Sequence, residues 1–542
     1  MNCRGFLIVS LFIFYTQVHS TPNIVIGFVV DGFAYHALHK VKPFLQGGIK
    51  MLLDNGTVYE NAYYPHARPN TGPGHATLNT GALPSYHGII SNKWGTKYDK
   101  TVACDDDDSV EAQLLHTSTN PKQKGKSAQY LMVDGIAEQL NRFSKPQSRN
   151  KTWSISLKSR SGIMMAGKGG KALWFEPEIM RFTSSKAYFD ELPTWVEQFN
   201  SRYALENLKQ CSWKLFHEKE SPAYNFMHIN NYTYSTRPTL INQDFSHEKD
   251  SDYKTVFRHM PIANKLALNC AQACIDQHLQ DPDNATLMLW IGLSTLDKIG
   301  HTFGPDSFEF LDTIYHVDDY IQTFIKDLEK KVDPDTIAYF LTADHGFMPI
   351  PELISPKRMQ QARRIYKNKV IEKLNNKVEK RFGVASIIRC IKAPNVYLYH
   401  DRFKKLEHKQ KKRMLEYIKY TLQKVTGIRK VWIAHELEEM SCNQDTIESF
   451  YRKQYYKGRS GHLVFQVNTY TLVAKHPNGS KHGAPYEFNT HVPLMFYHKG
   501  NIEQKTITDK VWMPQVAPTL SYILNIAKPS ACTADILPGI EC

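Results

Sequence analysis

Two β-branched apolar runs, Asn23 to Val30 (NIVIGFVV) and Thr336 to Thr342 (TIAYFLT), are followed closely by aspartates, Asp31 and Asp344. A third run, Leu287 to Ile291, stands shortly before Asp297. Short apolar runs without alternation suit strands buried on both faces, as in parallel sheets. Helical patterns lie between them. In Ser307 to Val332, the residues Phe308, Leu311, Tyr315, Ile321, Phe324 and Leu328 return to one face at spacings of three, four or their multiples. Alternating strands and helices imply an α/β fold, with a core sheet flanked by helices on both faces. Such sheets bind ligands outside the carboxyl ends of their strands, where Asp31 and Asp344 stand.

A chain of 542 residues is too long for one small core. Residues 351–475 change character. They hold a basic helix, a strand-like Asn395 to Tyr399, a second basic helix, and strand-like Val431 to Ile433 and Leu463 to Ala474. We read this stretch as a smaller α+β subdomain inserted between core residues 21–350 and 476–542. Residues 1–20 read as a signal peptide. Arg4 is their only charge, Phe6 to Tyr15 is mostly apolar, and the small residues Val18 and Ser20 precede a cut at Thr21. The expected location is therefore secreted or periplasmic. No later segment reaches the ~20 apolar residues of a membrane span, so no stable membrane anchor is expected.

In an exported chain the eight cysteines after Cys3 suggest disulfides, with the pairing open, although Cys532 and Cys542 are placed to staple the C-terminal tail. The net charge is +14 and concentrates in Lys357 to Lys380 and Arg402 to Lys424. These charges alternate with Leu, Ile and Glu at helical spacing, so they read as solvated helix faces. No specific nucleic-acid recognition is expected, and a mild attraction of phosphorylated substrates is compatible.

Five short motifs carry the chemistry: Val30-Asp31-Gly32, Thr71-Gly72-Pro73-Gly74-His75, Asp297 to His301, Ala343-Asp344-His345-Gly346 and Lys481-His482-Gly483. Carboxylate and imidazole ligands without thiolate suit zinc. Asp297 and His301 are four apart, on one face of a helical turn, and would hold one metal with His482. Asp31, Asp344 and His345 would hold a second. Asn70-Thr71-Gly72-Pro73 reads as a helix start, with Asn70 as the cap. A Thr71 hydroxyl there, touching a metal, is a candidate nucleophile, and the whole is a two-metal phosphoryl-transfer site.

These motifs, together with Thr80-Gly81-x-x-Pro84-x-x-His87-Gly88-Ile89, resemble the alkaline phosphatase superfamily from Asn23 to about Phe496, in the part that also holds the nucleotide pyrophosphatase/phosphodiesterases. The resemblance implies zinc ligands at Asp31, Thr71, Asp344 and His345 for one metal, and at Asp297, His301 and His482 for the other. Ser91-Asn92-Lys93-Trp94 and Ser156-Leu157-Lys158-Ser159-Arg160 narrow it to the phosphate-irrepressible alkaline phosphatases with a threonine nucleophile. It implies that Asn92, Lys158 and Arg160 bind the phosphoryl oxygens of small-molecule phosphate esters. An extended segment would put Lys158 and Arg160 on one side. Sulfatases need Cys or Ser where Thr71 stands, and nothing supports the third, magnesium site of the serine alkaline phosphatases. The rivals are a phosphodiesterase using the same metals and an inactive relative kept as a binding protein. Oligomeric state is not legible.

Overall fold

The computed structural model describes residues 21–116, 124–144, 150–225, 234–281, 285–354, 362–442 and 445–540. The expected signal peptide, the start of the first basic stretch at Lys357, and Cys542 lie outside the described residues.

All three apolar runs are strands, and all three are wholly buried. They belong to a nine-stranded sheet whose members, in chain order, are β1 (Ile24–Val30), β2 (Thr57–Tyr63), β3 (Lys151–Ser156), β4 (Lys171–Glu176), β5 (Arg181–Thr183), β6 (Leu287–Leu293), β7 (Ile337–Thr342), β8 (His491–His498) and β9 (Lys505–Trp512). The spatial order is β9-β2-β8-β7-β1-β6-β3-β4-β5. The middle five, from β7 to β4, run parallel to one another. β8 pairs antiparallel with β7 and with β2, and β5 pairs antiparallel with β4. The sheet is therefore mixed, with a parallel centre flanked by helices. Because β7, β1, β6 and β3 are parallel neighbours, the residues following all four emerge along one edge of the sheet.

The helices that matter to the site are α1 (Thr71–Thr80), α2 (Ser159–Ala166), α3 (Thr295–Phe303) and α4 (Phe308–Glu329). The periodicity of 307–332 is realised in α4. Ser307 caps it, its hydroxyl accepting from the Phe310 N–H at 3.2 Å, and Leu311, Tyr315, Ile321, Phe324 and Leu328 face the core. Phe324 meets Phe28 of β1 edge-on, so the helix is fastened to the central strand. Each such side chain taken from water contributes about 1.5–3 kcal/mol.

Residues 363–474 build two smaller sheets. One pairs Arg363–Tyr366 with Thr471–Ala474, and the other orders Ile388–Lys392, Asn395–Leu398, Leu463–Val467 and Ile428–Ile433. They share a hydrophobic cluster separate from that of the large sheet. The run from Leu463 to Ala474 is two strands rather than one, because Tyr470 turns at φ 57° and directs the second strand to another sheet. The basic stretches are amphipathic helices. Lys367–Phe382 buries Val370, Leu374 and Val378, and His408–Gln423 buries Met414, Ile418 and Leu422.

The described cysteines are free thiols rather than disulfides. Cys104 lies against Gly72 and Cys532 against Gly81, while Cys270 and Cys274 share the buried face of one helix. Among the described residues no helix is long and apolar enough to cross a membrane.

Candidate active site

Register brings the first cluster together. Val29 of β1 pairs with Thr342 of β7, so Asp31 and Asp344 emerge side by side two residues later. The Gly32 N–H donates to Asp344 Oδ1 at 3.1 Å. His345 places Nε2 3.3 Å from Asp31 Oδ1 and 3.2 Å from Asp344 Oδ2, while its Nδ1–H donates to the Gly346 carbonyl at 3.0 Å. All three side chains are wholly buried.

The second cluster comes from the next strand over. β6 leads into α3, whose first turns carry Asp297 and His301. His301 and His482 each place Nε2 3.3 Å from Asp297 Oδ1. Their opposite ring nitrogens face the carbonyls of Ser480 and Pro69, at 2.9 and 3.4 Å. Each imidazole is thus turned so that Nε2 points to the cluster, an arrangement typical around metals. The His345 and His482 rings stack at 3.5 Å, so the two clusters are contiguous.

The residues fit metal ions. Asp31 Oδ1, Asp297 Oδ1, Asp344 Oδ2 and His345 Nε2 are buried without hydrogen-bond partners. Donor atoms ~2.0–2.1 Å from a tetrahedral zinc lie ~3.3 Å from one another, which is the spacing found here. Without metal the charges are poorly matched. Burial and the adjacent Asp31 push the Asp344 carboxyl well up, whereas Lys158 and His345 outweigh burial and hold Asp31 down. Burial lowers His482 to about 3, and Asp344 and Asp31 overcome burial to raise His345 to about 9. Divalent cations bound there would remove this frustration.

Thr71 opens α1 as expected, but Asn70 is not the cap the sequence implies. Its side chain makes no capping bond and donates instead to Ser91 Oγ at 3.4 Å. Asn92, 20 residues after Gly72, supplies the missing acceptor: its Oδ1 takes the Gly72 N–H at 2.6 Å. That commitment uses the Asn92 oxygen and leaves its NH₂ to donate, in a residue that lines the cleft. Gly74 has a steric reason to be glycine, because a Cβ there would lie 2.2 Å from the Asp344 carbonyl oxygen. The first turn of α1 is thereby pressed against the strand end that carries Asp344. His75, which the sequence reading left without a role, holds the same junction. Its Nδ1–H donates to the Thr71 carbonyl at 2.8 Å, and burial keeps it neutral, with its pKa lowered to about 4.

Lys158 and Arg160 are not on an extended segment. Lys158 is the residue before α2 and Arg160 lies in its first turn, because β3 ends at Ser156. Lys158 Nζ donates to Asp31 Oδ2 at 2.6 Å and to Asp297 Oδ2 at 2.5 Å, so one ammonium ties both clusters together. Burial disfavours the charged Arg160 guanidinium, but the buried Asp105, together with Cys104, Asp31 and Asp297, outweighs it. Asp105 also accepts from Ser159 Oγ at 2.6 Å and lies 3.3 Å from Lys126 Nζ. The sequence reading missed Asp105. Its signal was the run Asp105-Asp106-Asp107-Asp108 in a basic chain. A cleft of about 800 Å³ opens from His301 and His482, with Asn70, Ser91 and Asn92 along its wall.

A family model described as type I phosphodiesterase / nucleotide pyrophosphatase matches residues 25–491. The chain belongs to this family. The resemblance to the alkaline phosphatase superfamily is thereby borne out. The phosphodiesterase family member described here is 29% identical to alkaline phosphatase PafA of Elizabethkingia meningoseptica over 533 residues, covering 95% of this chain and 94% of that one. It is 26% identical to alkaline phosphatase PhoV of Synechococcus elongatus over 543 residues, covering 97% and 94%. The crystal structure of wild-type PafA matches with a TM-score of 0.85 at 27% identity, covering 96% and 98% of the two chains. A PafA variant with one threonine, one asparagine, one lysine and one arginine replaced matches equally well, at 0.85. Murine ectonucleotide pyrophosphatase/phosphodiesterase 5 shares the fold, with a TM-score of 0.53 at 14% identity.

Proposed function

We propose that the chain is an exported phosphomonoesterase, an alkaline phosphatase that works at a two-zinc site through a phospho-threonine intermediate. The observation that carries this reading is the edge-on convergence of two three-ligand clusters and Lys158 beside the N-terminus of the helix that begins at Thr71. Asp31, Asp344 and His345 would hold one ion with Thr71, and Asp297, His301 and His482 the other. Bound there, the ions supply positive charge for an alkoxide and for a departing oxyanion.

The chain's own residues do the rest. The Thr71 Oγ–P bond forms as the bond from phosphorus to the alcohol oxygen breaks, and the hydroxyl proton ends on the released alcohol. Water then breaks the Thr71 Oγ–P bond, which frees orthophosphate and restores the hydroxyl. The helix N-terminus at Thr71 favours negative charge at that oxygen. Lys158, Arg160 and the amide of Asn92 provide donors for the non-bridging oxygens, which carry more charge in a monoester than in a diester. The four residue types replaced in the PafA variant support this assignment. Its threonine and asparagine are 21 positions apart and its lysine and arginine two apart, the spacings of Thr71 to Asn92 and Lys158 to Arg160.

The test is kcat/KM for 4-nitrophenyl phosphate and for its methyl diester, which share a leaving group. A preference for the monoester is expected. A preference for the diester assigns the site to phosphodiester cleavage, the activity in the family's description, and no turnover of either assigns a binding role.

A further inference from the structure

The cleft beside the metal clusters carries an unusual charge pattern. Arg68, Lys93, Lys367, Lys392 and Lys481 line it together with His301 and His482, and no acidic side chain does so among the described residues. Among the described residues none of the five is ion-paired with a carboxylate. Elsewhere on the chain lysines find carboxylates readily, as Lys40 does with Asp306 and Lys331 with Asp276. Here Lys367 lies within electrostatic range of Lys392 and Arg68, and Lys481 within range of Arg68 and Lys367. After burial, Lys392, Lys475 and Arg68 make Lys367 easier to deprotonate. The Arg68 guanidinium donates Nη1–H to the Gly483 carbonyl at 2.9 Å and leaves a buried Nε without a partner.

Like charges gathered around one cleft repel one another, and an anion entering it lowers their energy. The phosphoryl group undergoing transfer does not need them, since Asn92, Lys158 and Arg160 are assigned to it. The cleft is also far larger than one phosphate, within the range of sites that enclose a whole small molecule. Two of the five cations, Lys367 and Lys392, come from the proposed inserted subdomain, so that segment has a part in choosing the substrate.

We propose that this cleft receives the leaving group, and that the preferred substrates are phosphate monoesters whose leaving group carries a further phosphate. The proposal rests on the phosphomonoesterase reading above.

The experiment compares fructose 1,6-bisphosphate with fructose 6-phosphate, using wild type and the triple variant Lys367→Gln/Lys392→Gln/Lys481→Gln. Turnover of 4-nitrophenyl phosphate is measured separately, so loss of the phosphatase reading itself is recognisable. In wild type, kcat/KM should favour the bisphosphate by roughly tenfold, well beyond the statistical factor of about two for its two esters. In the triple variant the ratio should fall to about that factor. Calorimetric binding of the same two sugars to the metal-loaded Thr71→Ala protein decides the matter even without turnover. The bisphosphate should bind roughly tenfold tighter, and adding the three Gln changes should abolish the difference. If the triple variant does not fold, Lys392→Glu alone should lower the ratio. A wild type without the preference in both kinetics and binding, or a preference unchanged in the variants, overturns the proposal and leaves the lysines as solvated charges.

Discussion

Replacing Lys158 by alanine should have two separable effects. Lys158 Nζ lies 2.6 Å from Asp31 Oδ2 and 2.5 Å from Asp297 Oδ2, and the three side chains are 6%, 0% and 4% exposed. Removing one partner from a buried pair costs about 3–5 kcal/mol, because the remaining charge is left without compensation. Unfolding entropy of ~2.1 cal/mol/K per residue turns this into a fall of about 3–4 °C in Tm for a cooperative chain of this length. The fall should appear in the chelated protein. With divalent cations loaded, Asp31 and Asp297 are already neutralised, so most of it should vanish. The kinetic effect belongs to the loaded enzyme. A charge-assisted contact to a phosphoryl oxygen in a desolvated site contributes about 2–4 kcal/mol, so kcat/KM for a monoester should fall by roughly a hundredfold or more. A diester should lose much less, since one of its oxygens is esterified. The assays are scanning calorimetry with and without chelator, metal content by elemental analysis, and kcat/KM on 4-nitrophenyl phosphate and its methyl diester. Equal Tm losses in both metal states, together with equal kinetic losses on both substrates, would falsify the reasoning and make Lys158 a structural cation.

Thr71→Ala should keep its fold and lose turnover by several orders of magnitude, while Thr71→Ser keeps part of it; near-normal turnover in the alanine variant assigns attack to water or another residue. Purified protein should contain about two zinc ions per chain, and chelation should abolish activity and lower Tm; an active preparation without transition metal refutes this. Gly74→Ala puts a Cβ 2.2 Å from the Asp344 carbonyl oxygen, so metal content and activity should both drop; an unchanged enzyme shows that α1 can shift freely. His316 sits in a second polar cluster with Asp312, Asp319 and Tyr320 around it. Burial lowers its pKa, but Asp312 overrides this and raises it. Its contribution is therefore fully present below the unfolded value of ~6.5 and is lost as pH rises through the folded-state value. The Tm gap between wild type and His316→Gln should narrow from about pH 6 to about pH 9, and a gap that widens reverses the sign.

The sequence alone was sufficient for the parallel centre of the sheet and for most of the candidate ligands. Buried parallel strands write themselves as unbroken apolar runs, and a site at their carboxyl ends puts its ligands directly after those runs. Asp31, Asp344 and His345 follow those runs directly and so stood out as candidates, and the four-residue spacing of Asp297 and His301 is a local property of a helix. What required tertiary structure was every contact made across long separations. The cap on the helix of Thr71 comes from Asn92, because the neighbouring Asn70 side chain is turned to Ser91. Asp105 acts electrostatically on Arg160, and the ammonium between the two clusters is Lys158, placed by a helix start where an extended segment was expected. The antiparallel entry of β8 and the split of Leu463 to Ala474 were set by which strands are neighbours in space. The cationic cleft was the least legible of all. Its five charges come from separated stretches of chain, and in a chain of +14 each one reads as an ordinary solvated lysine or arginine. Only packing decides that they line one cleft with no carboxylate among the described lining residues, because charge repulsion depends on distance in space and leaves no period in the sequence.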